Sequence, residues 1–321
     1  MRRLVLLLFL IALALATACS RKPKAVRHTP RSQAELPTTS ADIWLGNLDG
    51  QIAELTRLVA ARPDLLSNIE RLSAAHHIRG RLRDDLDEIQ EGIDLAIVYT
   101  VRAPDDPKGW LARAEQEQSL HRFPQAREDL ARAKQLGAPA ARVADLEADL
   151  DWNDGRYDPA IGRIRRARRE RPSSATWLRE AQLDHDLGDD DGADAAFAAA
   201  EDAIKDVSPL PVAHLDVQRG IVDVSRGRLE DAVVFFRAAV ERMPTHVAAL
   251  EHLGETLHML GKDDEAVAIY EKVVKLSDDP EFSHALAVLY AARGKKDEAA
   301  ALVPMSLIEE TALIGPREKI R

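Results

Sequence analysis

The sequence predicts an all-α protein built as a solenoid of antiparallel helix pairs, and three observations predict it. Gly220 and Gly254 stand 34 residues apart, as do Ala232 and Ala266, Phe236 and Tyr270, and Gly227 and Gly261. A fixed step of this length is the period of a stacked helix–turn–helix unit. From residue 41 to about 303 the chain is rich in Ala, Leu, Arg, Glu and Asp, with apolar residues at helical spacing and no strand alternation or hairpin turn. Gly155, Gly188, Gly227, Gly261 and Gly294 fall where each pair must turn, and Pro172 and Pro244 end helices at unit boundaries.

Taken in order, the chain opens with Arg2 and Arg3 before an apolar run, Leu4 to Ala18, that ends in Ala16-Thr17-Ala18-Cys19-Ser20. A basic start, a short apolar stretch and small residues before a break read as an export signal over residues 1–18. The run is shorter than the about 20 residues a membrane-spanning helix needs. Cys19 is the only cysteine, and its setting resembles the lipobox of bacterial lipoproteins, with Ala16 where Leu is commonest. Lipidation of Cys19 is one reading, and an ordinary signal cut after Ala18 is the other. Without a second cysteine no disulfide can form within the chain, so stability rests on packing. Ser20 is not acidic, which favours the outer membrane over the inner one. Residues 19–40 carry Arg21, Lys22, Lys24, Arg27 and Arg31 among Pro, Ser and Thr, and are expected to form a basic, flexible tether.

Ile43–Ala61 reads as a leading helix, and Leu65–Gly80 with Asp84–Ala103 as a first helix pair. Residues 107–140 supply Trp110, Ala114, Phe123, Ala126, Leu130 and Ala133; residues 141–173 supply Ala148, Gly155, Tyr157, Ala160 and Ala167. Residues 174–209 supply Trp177, Ala181, Gly188, Ala193, Phe197 and Ala200, followed by an insertion around Val207-Ser208-Pro209. The best-formed copies are 213–246 and 247–280, the latter with Leu250, Leu253, Gly254, Leu257, Gly261, Ala266, Tyr270 and Val273. A last copy, 280–303, runs one residue out of phase, and 304–321 is left as a tail or cap. Small residues such as Gly220 and Ala232 let paired helices approach, and large ones such as Phe236 and Tyr270 fill the gap to the neighbour.

These segments resemble tetratricopeptide repeats over most of the chain. The resemblance implies a right-handed, elongated superhelix over residues 41–303 whose concave surface, formed mainly by the first helix of each unit, binds a protein or peptide. Carried over to this sequence, that surface comprises Asp145, Asp149, Trp152, Asn153, Gln182, His185 and Asp186, and in the strongest copy Glu251, Glu255 and His258. Trp152 reads either as an aromatic anchor for a partner or as filler between units. The many acidic groups point to a partner surface carrying Lys or Arg.

Catalytic and metal chemistry find little support. There is no Gly-rich phosphate loop and no spare cysteine nucleophile. Aligning Gly192 with the invariant glycine of a calcium loop puts Leu187 and Ala198 at ligand positions, so Asp184 to Asp191 read as an acidic helix start. His76 and His77 are adjacent and point to different sides of a helix, one expected at the surface and one partly buried. Arg163, Arg165, Arg166, Arg168, Arg169 and Arg171 read as a solvated outer face. The formal charge of −10 argues against a nucleic-acid partner. No cofactor is expected. The sequence therefore points to a lipid-anchored, non-catalytic adaptor of the bacterial envelope. The resemblance allows a pilotin for a secretin pore, a presenter of cell-wall hydrolases or proteases, or part of an outer-membrane-protein assembly machine. An enzyme built on acidic groove residues and a homo-oligomeric spacer are the rival readings.

Overall fold

The computed structural model describes residues 29–303, which hold fifteen α-helices and no strand. The export signal, Cys19 and residues 304–321 lie outside the described residues. A leading helix α1 (Ala41–Ala61) precedes seven helix pairs. These are α2 (Leu66–Arg83) with α3 (Leu86–Arg102), α4 (Pro107–Ser119) with α5 (Phe123–Gln135), and α6 (Ala140–Asn153) with α7 (Tyr157–Glu170). Next come α8 (Ser174–Asp186) with α9 (Asp190–Asp202) and α10 (Pro209–Ser225) with α11 (Leu229–Arg242). The last are α12 (Val247–Met259) with α13 (Asp263–Val273) and α14 (Pro280–Ala292) with α15 (Lys296–Leu302). Each helix packs on its partner and on the next pair, as a solenoid requires.

Local chemistry fixes the boundaries. Asp85, Asp106, Ser173, Asp189 and Asp279 accept backbone N–H groups at helix starts, with Ser173 and Thr176 bonding reciprocally. The turn between α10 and α11 passes through Gly227 at φ 70°, and that between α12 and α13 through Gly261 at φ 73°. In the α4–α5 pair no glycine stands there, and His121 takes the left-handed conformation at φ 56°. Within the repeats, a Cβ on Gly220 would lie 2.5 Å from the Phe236 ring, so only glycine lets α10 and α11 close on a wholly buried aromatic.

Two expectations change. The stack is not simply elongated, because its first helices fold back on its later ones. Leu82 at the end of α2 joins Val217, Leu250 and Leu253 in one buried cluster, and Ala41, Trp44 and Leu45 of α1 pack against it. The superhelix winds far enough for helices over 100 residues apart to share a core. Residues 29–40, expected as part of a flexible tether, instead form a strap along α9–α11. Arg242 donates to Gln33 Oε1 (2.7 Å), Leu36 O (2.8 Å) and Arg31 O (2.7 Å). Thr39 N donates to Val207 O at 2.7 Å, which gives the insertion before α10 a role, and Arg31 pairs with Glu201 and Asp202. Polar backbone acceptors and one buried guanidinium hold the strap in place, and Leu36 packs on the apolar cluster around Phe197.

The arginine run on α7 also differs from a solvated face. Arg163 pairs with Glu147 and Asp151, Arg168 lies 4.9 Å over the Trp177 ring, and Arg171 reaches Asp145 at 2.7 Å. Only Arg166 and Arg169 remain exposed with no such contact among the described residues. The run wraps the helix, so some members meet its partner α6 and others meet α8 of the next pair.

Candidate functional site

The first helices of successive pairs line the inside of the superhelix, and their polar stripes recur at helical spacing. Glu115 and Gln118 project from α4, Asp145, Asp149 and Trp152 from α6, Arg179, Gln182 and His185 from α8, and His214, Gln218 and Ile221 from α10. Because α2 folds back across this surface, His77 and Arg81 complete the wall. The result is a cavity of two adjoining lobes, about 500 and about 580 Å³, which share Arg81, Gln118, Asp149 and Arg179. These volumes lie within the range of ligand-binding clefts.

Seven of the ten predicted groove residues meet here. Asp149, Trp152, Asn153, Gln182, His185 and Asp186 line one lobe, and Asp145 with Asp149 lines the other. Glu251, Glu255 and His258 do not line either lobe. Glu251 is pushed above the ordinary carboxylate range by burial, and Glu255, Asp84 and Glu281 add to the rise against His252. His258 Nδ1 bonds Asp263 Oδ1 at 2.7 Å at the start of α13. The strongest repeat therefore contributes to the fold's closure, not to the cavity.

Trp152 combines the two roles open at the sequence level. It packs with Ala148, Ile164 and Leu183, meets Tyr157 edge-on at 4.9 Å between ring centroids, and still presents a face to the cavity. Asn153 Nδ2 donates to Asp149 O at 2.8 Å, and Gln182 Nε2 donates to Gln218 Oε1 at 2.6 Å.

The acidity expected of this surface is largely cancelled. Asp145 accepts from Arg171 and lies 3.6 Å from Arg179; Asp149 accepts from Arg179 at 2.5 Å; Glu115 pairs with Arg142. Burial pushes the Asp149 and Glu115 carboxyls up, and those arginines oppose the rise. Asp186 is also raised by burial, with His185 opposing. Elsewhere in the lining, burial pushes His77 and His214 down to about 4, and Arg81 adds to the depression. Both imidazoles are neutral at physiological pH, and His77 Nε2 lies 3.0 Å from Ser119 Oγ.

His76 and His77 face different partners, as their adjacency requires, but both are more buried than expected. His76 Nδ1 meets Glu88 Oε1 at 2.8 Å and Glu91 at 3.2 Å. This triad has the spacing of metal ligands, yet Arg79 Nε already donates to the same Glu88 oxygen at 2.7 Å, so a guanidinium holds the cation's place. His185 Nε2 sits 2.8 Å from Ser225 Oγ, a contact reminiscent of nucleophile and base. The hydroxyl, however, donates to Val222 O, and Asp190 is 3.6 Å from His185 Nδ1 with Arg226 on the same oxygen at 2.7 Å. Ser225 also closes the C-terminal end of α10, where carbonyls, not N–H donors, face outward. That geometry does not support acyl transfer. Asp189 caps α9 through Gly192 N at 2.9 Å, in line with an acidic helix start.

Sequence reasoning missed Arg81, Arg179, His214 and Gln218. Arg179, His214 and Gln218 lie on the same helical stripes as residues that were found, so i, i+3 and i+4 spacing on α8 and α10 would have located them. Nothing local marks Arg81, whose place depends on α2 folding back.

The family model for the tetratricopeptide repeat matches residues 224–287. No curated protein matches the sequence. Among solved structures, the chain is similar to the APC/C hetero-tetramer Cut9–Hcn1, at TM-score 0.51 and 18% identity over 81% of this chain and 51% of that one. It is similar to yeast Tom70 at TM-score 0.50 and 16% identity, covering 78% of this chain and 59% of that one. A tetratricopeptide repeat protein from Parabacteroides merdae aligns at TM-score 0.44 and 16% identity, over 74% of this chain and 96% of that one. The chain thus spans about half the length of the first of these and rather more of the second. With its repeat match and its stacked antiparallel pairs, the fold is a tetratricopeptide-like α-solenoid.

Proposed function

We propose that this chain is a scaffold that captures a segment of another protein in the cavity between α2, α4, α6, α8 and α10. One observation carries the reading: polar stripes from five helices converge on two adjoining lobes that share Arg81, Gln118, Asp149 and Arg179, one of them lined by amides and Trp152. Gln118, Asn153, Gln182 and Gln218 offer both donors and acceptors, the chemistry an extended backbone needs. Trp152 beside Leu183, Ile221 and Val222 offers a place to bury one apolar side chain. Replacing Trp152 and His185 together by Ala abolishes capture of the partner from envelope membranes, read by mass spectrometry, while helicity by circular dichroism stays unchanged. Capture that persists in the double variant removes the cavity from the function.

The scaffold is proposed to be held at a bacterial envelope membrane by lipid on Cys19, on the strength of the export-signal pattern and the lipobox-like setting of that residue. Arg31 is held to α9, and the twelve residues from Cys19 to Pro30 can span at most about 40 Å. Such a short connection would keep α9–α11 close to the bilayer. Cys19→Ser is expected to move the protein from the detergent extract to the soluble fraction; a native chain found only in the soluble fraction overturns the anchor.

A further inference from the structure

We infer that the captured segment carries an Asp or Glu side chain whose carboxylate docks on Arg81, midway through the cavity. The inference rests on the proposal that the cavity takes a protein segment, and it reverses the basic partner expected from the sequence. The reversal comes from charge compensation. The cavity's acidic groups Glu115, Asp145 and Asp149 each meet an arginine of the fold, so they offer little net attraction to a cation. Arg142 and Arg179 are likewise spoken for by those carboxylates.

Arg81 is different. It is exposed, lines both lobes, and has no ion pair or hydrogen bond among the described residues. Its field reaches His77, His214 and His246, all held neutral, so the surrounding imidazoles leave its charge standing alone. Its guanidinium is solvated while the cavity is empty; a segment that fills the cavity excludes that water and must replace it with an acceptor, which a carboxylate does in a charge-assisted, bidentate contact.

Position decides between a side chain and a chain terminus. Arg81 lies where the two lobes join, with open volume on either side. A segment threading both lobes passes Arg81 in mid-chain and can present only a side chain there. The lobes also differ: Trp152, Ile221 and Val222 line one, while His77, Glu115 and Arg142 line the other. An apolar residue of the segment belongs on the Trp152 side of the acid. Asp186, exposed at the outer end of that lobe, is the one lining carboxylate with no arginine in reach among the described residues, and it suits a basic residue further along.

The test uses the full chain and short end-capped peptide pools that differ only in a fixed central Glu, Gln or Lys, with a Leu at a fixed distance and other positions randomised. The native protein is expected to retain the Glu pool about tenfold more than the Gln pool. Arg81→Ala is expected to erase that preference with unchanged helicity, and Arg81→Glu to transfer it to the Lys pool. Retention of all pools alike, or a Glu preference that survives Arg81→Ala, overturns the acid assignment and leaves the scaffold reading intact. A free-terminus Gln pool retained in place of the capped Glu pool shows a chain end at Arg81 and also overturns the assignment. If no pool is retained beyond the Trp152→Ala, His185→Ala level, both readings fall.

Discussion

Residues 209–273 and residues 140–202 each form four helices stacked as two pairs, but different forces hold them. In the first region Phe236, Met243, Leu250, Leu253, Leu257 and Val273 are buried in one extended apolar cluster. In the second the apolar residues divide among smaller clusters, around Phe197, around Leu150 and around Ala148, Ile164 and Leu183, and arginine–carboxylate pairs stitch helix to helix. The family model matches 224–287, inside and just beyond the apolar region, whereas the cavity-lining residues lie between His77 and Val222. A repeat keeps its recognisable pattern where each position answers only to packing. Where an inner helix must also present polar groups to a cavity, charged residues replace some of the packing and the pattern fades.

The contrast can be broken by mutation, starting with the largest effect. Phe236→Ala removes a fully buried ring that fills the space opposite Gly220, and is expected to cost about 3–5 kcal/mol in chemical denaturation. A loss below about 1 kcal/mol would show that the apolar region is not the stable half. Gly220→Ala gains about 1 kcal/mol of helix propensity but forces a methyl against the same ring, which costs about 1–3 kcal/mol, so a net loss is expected.

The middle region should respond to charge instead. Burial alone would raise the Asp151 carboxyl, but Arg156, Arg163 and Arg127 together hold it below its ordinary value. Asp151→Asn is expected to cost about 1–2 kcal/mol at neutral pH, because the three arginines are part-exposed and solvent screens them. The depressed value makes this contribution present above about pH 4 and lost as pH falls below that. The loss should also shrink in high salt, whereas that of Phe236→Ala should not. Equal salt dependence of the two variants would dissolve the distinction between the regions.

Asp216 sharpens the comparison from inside the apolar half. Its carboxyl is pushed up to about 8 by burial and by Glu201, against the pull of Arg242 and Arg219. The folded chain keeps the proton from about pH 4 to about pH 8 while the unfolded chain loses it, so this group's stabilisation is complete below about pH 4 and declines as pH rises. Asp216→Asn removes that slope. Thermal melts are expected to show the Asn variant gaining about 1–3 kcal/mol relative to the native chain between pH 5 and pH 8. A constant difference across that range would mean that Arg242 keeps Asp216 ionised.

Much of the architecture was legible from residues alone, because helix pairing is a local matter. The leading helix was expected at Ile43–Ala61 and runs from Ala41 to Ala61; the first pair was expected at Leu65–Gly80 and Asp84–Ala103 and occupies Leu66–Arg83 and Leu86–Arg102. Pro63 and Pro104 mark the ends of α1 and α3, whereas Gly80 lies inside α2, whose turn passes through Asp84 at φ 52°. Asp145, Asp149, Trp152 and Gln182 came from the repeat resemblance, which assigns fixed positions of each first helix to the inner surface.

Other features depended on contacts between residues far apart in sequence. The strap of residues 29–40 has the composition of a tether, and it is fixed by partners far away in sequence: Arg242 on its carbonyls, Val207 on Thr39, and Glu201 and Asp202 on Arg31. The cancellation of the groove's acidity depends on Arg171 reaching Asp145 across its own helix pair and on Arg179 reaching Asp149 on the preceding one. By itself the sequence determined the helices, their pairing and the direction in which each inner face looks, because those follow from interactions within about one repeat. Tertiary structure alone decided that the superhelix closes on itself and that Arg81 stands uncompensated at its centre, because both arise from small inter-repeat rotations summed over several pairs, which no local pattern records.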